Sequence, residues 1–201
     1  LHAAIYVCLT TTFFATARIG KFTLVTLSSF DPKLHIHQTD VSIIRDRQGL
    51  EVHNFHLPHT KSSPSGEDVN WAKQHSQSNP YTTLMNHFEI NEPPAEGPLF
   101  AYQQGKGHRP LTKKKFLLTL SSMAKKAGIK PLNGHGIHIG STLEYLLCNV
   151  PFKVVKVKGR WASNAFLTYL HCHTQILTPY MQAQPAVHES FICYTIPPIH
   201  R

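Results

Sequence analysis

The first apolar run of the chain is also its longest. Residues 3–17, AAIYVCLTTTFFATA, carry no charge and place apolar side chains on nearly every helical face, the pattern of a helix buried on most sides. The run is shorter than the roughly 20 residues a membrane span requires, and no basic stretch precedes it as in a secretion signal. No other stretch is long and apolar enough to span a bilayer. Residues 1–30 read as two helical segments interrupted near Ala15–Ala17, and Asp31-Pro32 closes them.

The rhythm then changes. Val41–Ile44 and Leu50–Leu57 are β-rich runs joined by turn residues at Asp46–Gly49, which predicts a hairpin. Its alternation is only partly obeyed at Val52, Asn54, Phe55 and Leu57. A loop follows at His59–Gly66, and Glu67–Ala72 adds a third short strand. Helical spacing returns over Pro80–Ile90, before the breaker NEPPAEG at 91–97. Leu99–Tyr102 is short and apolar, and Gly105–Pro110 reads as a loop.

The strongest helical signal begins where Thr112 caps a segment carrying Phe116, Leu117, Leu120 and Met123 and ending at Gly128. A further helix is predicted over Gly136–Cys148, burying Ile137, Leu143 and Leu146–Leu147. A short one follows over Phe152–Val157, ending near Gly159, and a last one over Ser163–Leu177. Residues 179–201 contain repeated prolines and read as an extended tail. The predicted class is mainly α with a small antiparallel β-sheet (α+β), with no β-α-β alternation and no Gly-rich phosphate loop.

Composition narrows the chemistry. At 201 residues and 41% hydrophobic the chain can bury a sizeable core. It carries 20 Lys and Arg against 11 Asp and Glu, a formal charge of +9, which suits a polyanionic partner. Its 15 histidines add latent positive charge below neutral pH. Cys8, Cys148, Cys172 and Cys193 form no CxxC pair, so a disulfide-stapled secreted scaffold is not indicated and a reduced intracellular compartment is the expectation. The chain begins at Leu1 rather than Met, which reads as a fragment or an excised domain.

Five local features carry candidate chemistry. Arg18 stands in an apolar run, where a guanidinium is costly without an anionic partner. Lys61 lies on the loop directly after the hairpin; a solvated surface lysine is the commoner meaning of such a residue. His135 and His138 stand three apart at a helix start, within GHGIHIGST, so that both can face one site. A zinc reading needs further ligands, and none stands at ligand spacing, although His171-Cys172-His173 follows. The fourth feature is Gly159-Arg160-Trp161; the fifth is Tyr169, eight residues after Trp161 in the following helix. Taken singly, the tryptophan reads as packing and the tyrosine as core or rim.

Their order is more informative than any one of them. Arg, Lys on a hairpin loop, HxxH, GRW and Tyr resemble the catalytic domain of tyrosine recombinases, the phage-integrase-like DNA breaking-rejoining enzymes. The resemblance runs from about residue 5 to residue 185, and ATARIGKFT, GHGIHIGSTLEYLL and GRWASNAFLTYL look most like recombinases of fungal mobile elements. It implies a catalytic domain over residues 1–185 and a tail over 186–201, without the upstream core-binding domain of such enzymes.

The resemblance also implies site roles. Tyr169 is the nucleophile, forming a 3′-phosphotyrosyl link. Arg18 grips the non-bridging oxygens, where a planar fork suits better than a point charge. Lys61 is the general acid, His135 assists proton transfer, and Trp161 hydrogen-bonds the phosphate. Lys113, Lys114, Lys115 and Arg160 supply backbone contacts to double-stranded DNA, whereas Lys125-Lys126 reads as a solvated helix face. No metal or cofactor is required, since the bond energy is kept in the phosphotyrosine. The family further implies a nuclear setting, a tetramer on DNA and a monomer when free.

Two positions depart from the family pattern. His138 stands where the family has a second arginine, and a histidine is shorter and only partly charged at neutral pH. Lys21, three residues after Arg18, stands where an acidic residue is usual and is expected to repel Arg18. Each lost stabiliser is worth ~10²–10³ in rate, so an impaired enzyme is expected. The competing readings are a catalytically dead DNA-binding remnant and a His-rich metal-binding or structural protein.

Overall fold

Helix α1 (His2–Phe14) is buried on most sides, with Ala4, Ile5, Val7, Cys8, Thr10, Thr11 and Thr12 all inside. Threonine is a weak helix former, so packing rather than propensity holds this segment. The Thr12 hydroxyl donates to the Cys8 carbonyl at 2.6 Å. That of Thr10 shares a 2.7 Å bond with Thr83 of helix α2 (Pro80–Asn91), which packs along α1. The computed structural model describes residues 1–60, 63–131, 133–161 and 174. The chain divides into two compact units, Leu1–Ser141 and Thr142–Arg201.

The second helical segment expected before residue 30 is reduced to a 3-10 turn at Ile19–Lys21. Beyond it, the core claims Phe22 and Leu24 individually. Phe22 packs edge-on against Phe55 at 6.0 Å and beside Phe100 at 5.7 Å. Leu24 bridges to Thr112, its N–H donating to the Leu111 carbonyl at 3.0 Å and its carbonyl accepting from Lys113 at 2.9 Å. Two partners on different elements pull this stretch straight, and a helix cannot serve both.

The expected hairpin and third strand form as β1 (Val41–Arg45), β2 (Glu51–Leu57) and β3 (Glu67–Ala72), antiparallel in that order. The Asp46 carboxylate shapes the first turn by accepting from Gln48 and Leu50 N–H, both at 2.8 Å. His53, Phe55 and Leu57 alternate onto the core face beside Val69 and Trp71. His53 stacks on Trp71 at 4.4 Å. β1 is an edge, and its Ile43 and Ile44 are exposed.

Asn79 caps α2 by accepting from Tyr81 N–H at 3.1 Å. The loop expected at Gly105–Pro110 is instead the turn and second strand of a small hairpin, β4 (Tyr102–Gln104) with β5 (Gly107–Arg109). Its turn rests on Gly105 in the left-handed region, φ 61°, a signal that also fits a loop. Helix α3 (Lys113–Lys126) starts at the expected Thr112 cap, which accepts from Lys115 N–H at 3.2 Å. Helices α4 (Gly134–Leu147) and α5 (Phe152–Lys158) follow. On α4, Ile137 and Leu146 are buried as expected and Leu143 is half-buried, whereas Leu147 is on the exposed side. The helix expected over 163–177 and the tail lie outside the described residues, apart from Thr174. The architecture is α+β: five helices and a small antiparallel sheet among the described residues. None of these helices is long and apolar enough to cross a membrane.

One buried histidine fastens α2 to the β4–β5 hairpin. His87 is fully buried; its Nδ1 accepts from Asn91 Nδ2 at 2.9 Å, so Nε2 carries the proton and donates to the Leu99 carbonyl at 3.0 Å. Asn91 in turn accepts from Gln103 N–H at 3.2 Å through Oδ1 and from His108 Nε2 at 2.7 Å through its carbonyl. Burial pushes His87 down to about 4. Burial also lowers His53, against an opposing pull from Glu51. These two therefore withhold the positive charge that histidine content suggests for mild acid.

The unfolded chain protonates His87 near its ordinary value of about 6.5 and the folded chain only near 4. Its stabilising contribution is therefore full above pH 6.5 and is lost as pH falls toward 4, by about 3 kcal/mol in all. Urea unfolding between pH 7.5 and 4.5 should show this acid loss. A His87→Gln variant, less stable at neutral pH, should show a visibly flatter pH dependence.

Candidate active site

Arg18 follows a strained residue. Thr16 adopts φ 47°, in the left-handed region that β-branched side chains avoid. Hydrogen bonds hold it there. Thr16 N–H donates to the Phe13 carbonyl at 3.0 Å, Ala17 N–H donates to Thr12 at 2.9 Å, and the Thr16 hydroxyl meets Ser141 Oγ at 2.9 Å. The chain leaves α1 sharply and enters the 3-10 turn. With three residues per turn, Ile19 and Phe22 share the buried side and Arg18 and Lys21 the outer one. Arg18 is exposed, and among the described residues no hydrogen bond or ion pair engages its guanidinium.

Lys21 does not stand as a bare charge beside Arg18. Its Nζ donates to the His59 carbonyl at 2.9 Å, at the head of the β2–β3 loop. Its described residues Thr60 and Ser63 bond to each other. Thr60 N–H donates to the Ser63 carbonyl at 3.0 Å and Ser63 N–H to Thr60 Oγ1 at 3.0 Å. Gly66 adopts φ 91° where a Cβ would lie 2.7 Å from the His56 ring. Lys61 itself lies outside the described residues.

Helix α4 docks against the Arg18 turn at two points. At Gly134 a Cβ would lie 2.7 Å from Ile19 Cγ2, so only glycine permits this approach. At Ser141 the buried hydroxyl donates to the Phe13 carbonyl at 2.5 Å, capping the last turn of α1 from outside. Positions 134, 138 and 141 share one helical face, so His138 lies between the two docking points and is 1% exposed. His135, rotated away, is exposed. The two histidines therefore do not present equally to one open site. Gly134 touching Ile19 does bring the start of α4, with His135, beside the Arg18 turn. Sequence reading passed over Thr16, Gly134 and Ser141; the available signal was a glycine and a serine two helical turns apart.

The second unit holds the GRW turn. The Trp161 indole lies over Gly159, where a Cβ would meet its Nε1 at 2.5 Å. Arg160 is left-handed at φ 52°. Lys158 Nζ sits 5.1 Å over the Tyr145 ring. Burial, with the neighbouring Arg160 charge, pushes Lys158 down to about 8, and burial raises Tyr145 to about 12. Tyr169 lies outside the described residues.

Lys113, Lys114 and Lys115 are exposed on the first turn of α3, where the helix dipole disfavours cations. Lys125 and Lys126 occupy its last turn, where the dipole favours them. Arg109, Lys114 and Lys115 line an open groove of about 690 Å³ with Val25 and Leu27. Among the described residues no group of three or more His, Cys, Asp or Glu converges as a metal shell.

No protein-family model matches the chain, and no curated protein does. Solved structures do. An Flpe–Holliday junction complex aligns with 94% of this chain at TM-score 0.51 and 14% identity, covering 53% of the solved chain. An FLP recombinase–Holliday junction complex aligns with 95% at TM-score 0.52 and 13% identity, covering 45%. The chain thus shares the fold of the FLP recombinase chains in these complexes and spans about half their length.

Two substitutions probe the close approaches. Gly134→Ala should lower the urea midpoint, because the clash with Ile19, about 1–3 kcal/mol, outweighs the gain in helix propensity of about 1 kcal/mol. Gly159→Ala should displace the indole of Trp161, read as a shifted emission maximum in a Trp71→Phe background.

Proposed function

We propose that this chain is a DNA breaking-rejoining domain of the tyrosine-recombinase type, acting on double-stranded DNA and impaired in its phosphate grip. The observation that carries this reading is the fold likeness over 94% of the chain, joined to an exposed arginine beside the start of the HxxH helix. In this reading Tyr169 Oη attacks phosphorus and the bond to the 5′ oxygen breaks. His135 takes the phenol proton, Lys61 gives a proton to the leaving oxygen, and Arg18 holds the non-bridging oxygens. Trp161 is the further donor to the phosphate, and Lys113, Lys114, Lys115 and Arg160 meet the backbone.

The impairment is assigned to position 138. An imidazole on the docked face of α4 is shorter than a guanidinium and has no planar fork of donors. The loss of one such stabiliser is worth ~10²–10³ in rate. Tetramer formation on DNA, a nuclear setting and descent from a mobile element belong to the same proposal.

A covalent-adduct assay on nicked and supercoiled DNA tests it. Tyr169→Phe should abolish any adduct, and His138→Arg should raise its yield by roughly tenfold to a hundredfold. Salt-sensitive DNA binding with no adduct from either the parent or His138→Arg would instead establish a DNA-binding remnant. No adduct and no binding, with stoichiometric zinc in the purified protein, would favour the metal-binding reading.

A further inference from the structure

We propose that Leu118 is a specificity-determining residue of this chain: on the outward face of α3 it meets the 5-methyl group of thymine in the major groove of double-stranded DNA. The inference rests on the function proposed above and deepens it, by naming what one helix reads in that substrate. The apolar stripe legible in the sequence of α3 leaves Leu118 out, and the core does not claim it either.

Helix α3 is held to the core by one side. Phe116 is fully buried, and Leu117 and Leu120 pack partly buried against the same cluster. At about 100° per residue, Leu118 points roughly 160–200° away from Phe116 and Leu120. It is 60% exposed. Lys114, Ser122 and Lys125 lie within about 40° of it around the helix, and Lys115 about 60° away. All four are exposed. A leucine thus stands at the centre of a cationic face.

The charge of that face is not neutralised within the fold. The segment KKKFLLTLSSMAKK holds five lysines and no acidic residue. Among the described residues no carboxylate pairs with any of them. Such a face fits a polyanion and repels a second copy of itself. With 14 residues, α3 is about 21 Å long. A helix enters the major groove of B-DNA, which is roughly 12 Å wide. There the lysines on its flanks reach phosphates, while the centre of its face meets base edges. A leucine neither donates nor accepts a hydrogen bond. It is therefore suited to one feature of the groove floor, the thymine methyl. The neighbouring Ser122 hydroxyl serves as donor or acceptor to several bases and adds little choice.

The test changes that methyl alone. The full chain is titrated by fluorescence anisotropy against a duplex of alternating dA and dT, and against the same duplex with deoxyuridine in place of thymidine. The parent should bind the thymine duplex about threefold to tenfold more tightly, the range expected for burying a methyl group. Leu118→Ala should lose affinity for the thymine duplex alone and so erase the preference. Leu118→Met, apolar and of similar volume, should keep it. Lys114→Ala should weaken both duplexes alike and reduce the slope of log affinity against log salt by about 0.9. The urea midpoints of both position-118 variants should match the parent, since the site is exposed and Ala and Met are good helix formers.

Equal binding of the two duplexes by the parent, or a Leu118→Ala loss that falls equally on both, would overturn the inference and leave the functional reading standing. A thymine preference that survives Leu118→Ala would do the same, because the methyl contact then lies elsewhere. Equal binding joined to a self-association that Leu118→Ala abolishes would give the face to a second copy and overturn it too. A parent chain that binds neither duplex at low salt overturns both the inference and the functional reading.

Discussion

The Phe13 carbonyl receives two hydrogen bonds, one from Thr16 N–H and one from the Ser141 hydroxyl. Most of what positions the candidate site descends from that point. The first bond holds Thr16 in a left-handed conformation that its branched side chain disfavours, and so ends α1 abruptly. The second seats α4 against the end of α1, a further bond to the same carbonyl that contributes about 0.5–1.5 kcal/mol. Arg18 is directed outward because the turn before it cannot relax.

The same docking explains the contrast between the two histidines of α4. A helix pinned at Gly134 and at Ser141 must bury whatever lies between them on that face. His138 is there and His135 is not. Spacing of three residues is enough to place two side chains near each other, but not to give both the same access to solvent. Which of the two is open was decided by a glycine and a serine that carry no chemistry of their own.

Charge shows a similar division of labour. The lysines on the first turn of α3 oppose the helix dipole and stay exposed, as suits an external anion. Those on the last turn follow the dipole and need no partner outside the helix. Lys21 has an internal role, on the His59 carbonyl. His87 adds no charge, because its two nitrogens are committed to Asn91 and Leu99. Part of the formal charge of +9 is thus committed inside the fold rather than offered to an external anion.

Periodicity and turn chemistry alone determined β1, β2 and β3, the starts of α2 and α3, and the α+β class. Each rests on contacts a few residues apart: the Asp46 turn, the Asn79 cap and the Thr112 cap. The ordered Arg, Lys, HxxH, GRW and Tyr set was legible too, and with it the family resemblance whose fold the solved recombinases share. Tertiary structure decided what depends on distant partners. It straightened residues 22–24 between the aromatic core and Thr112, and it paired the short β4–β5 hairpin. It also buried His138 and turned Lys21 from Arg18 to His59. A hydrogen bond between residues 38 positions apart, or a glycine matched to an isoleucine across the fold, leaves no periodic trace in the chain.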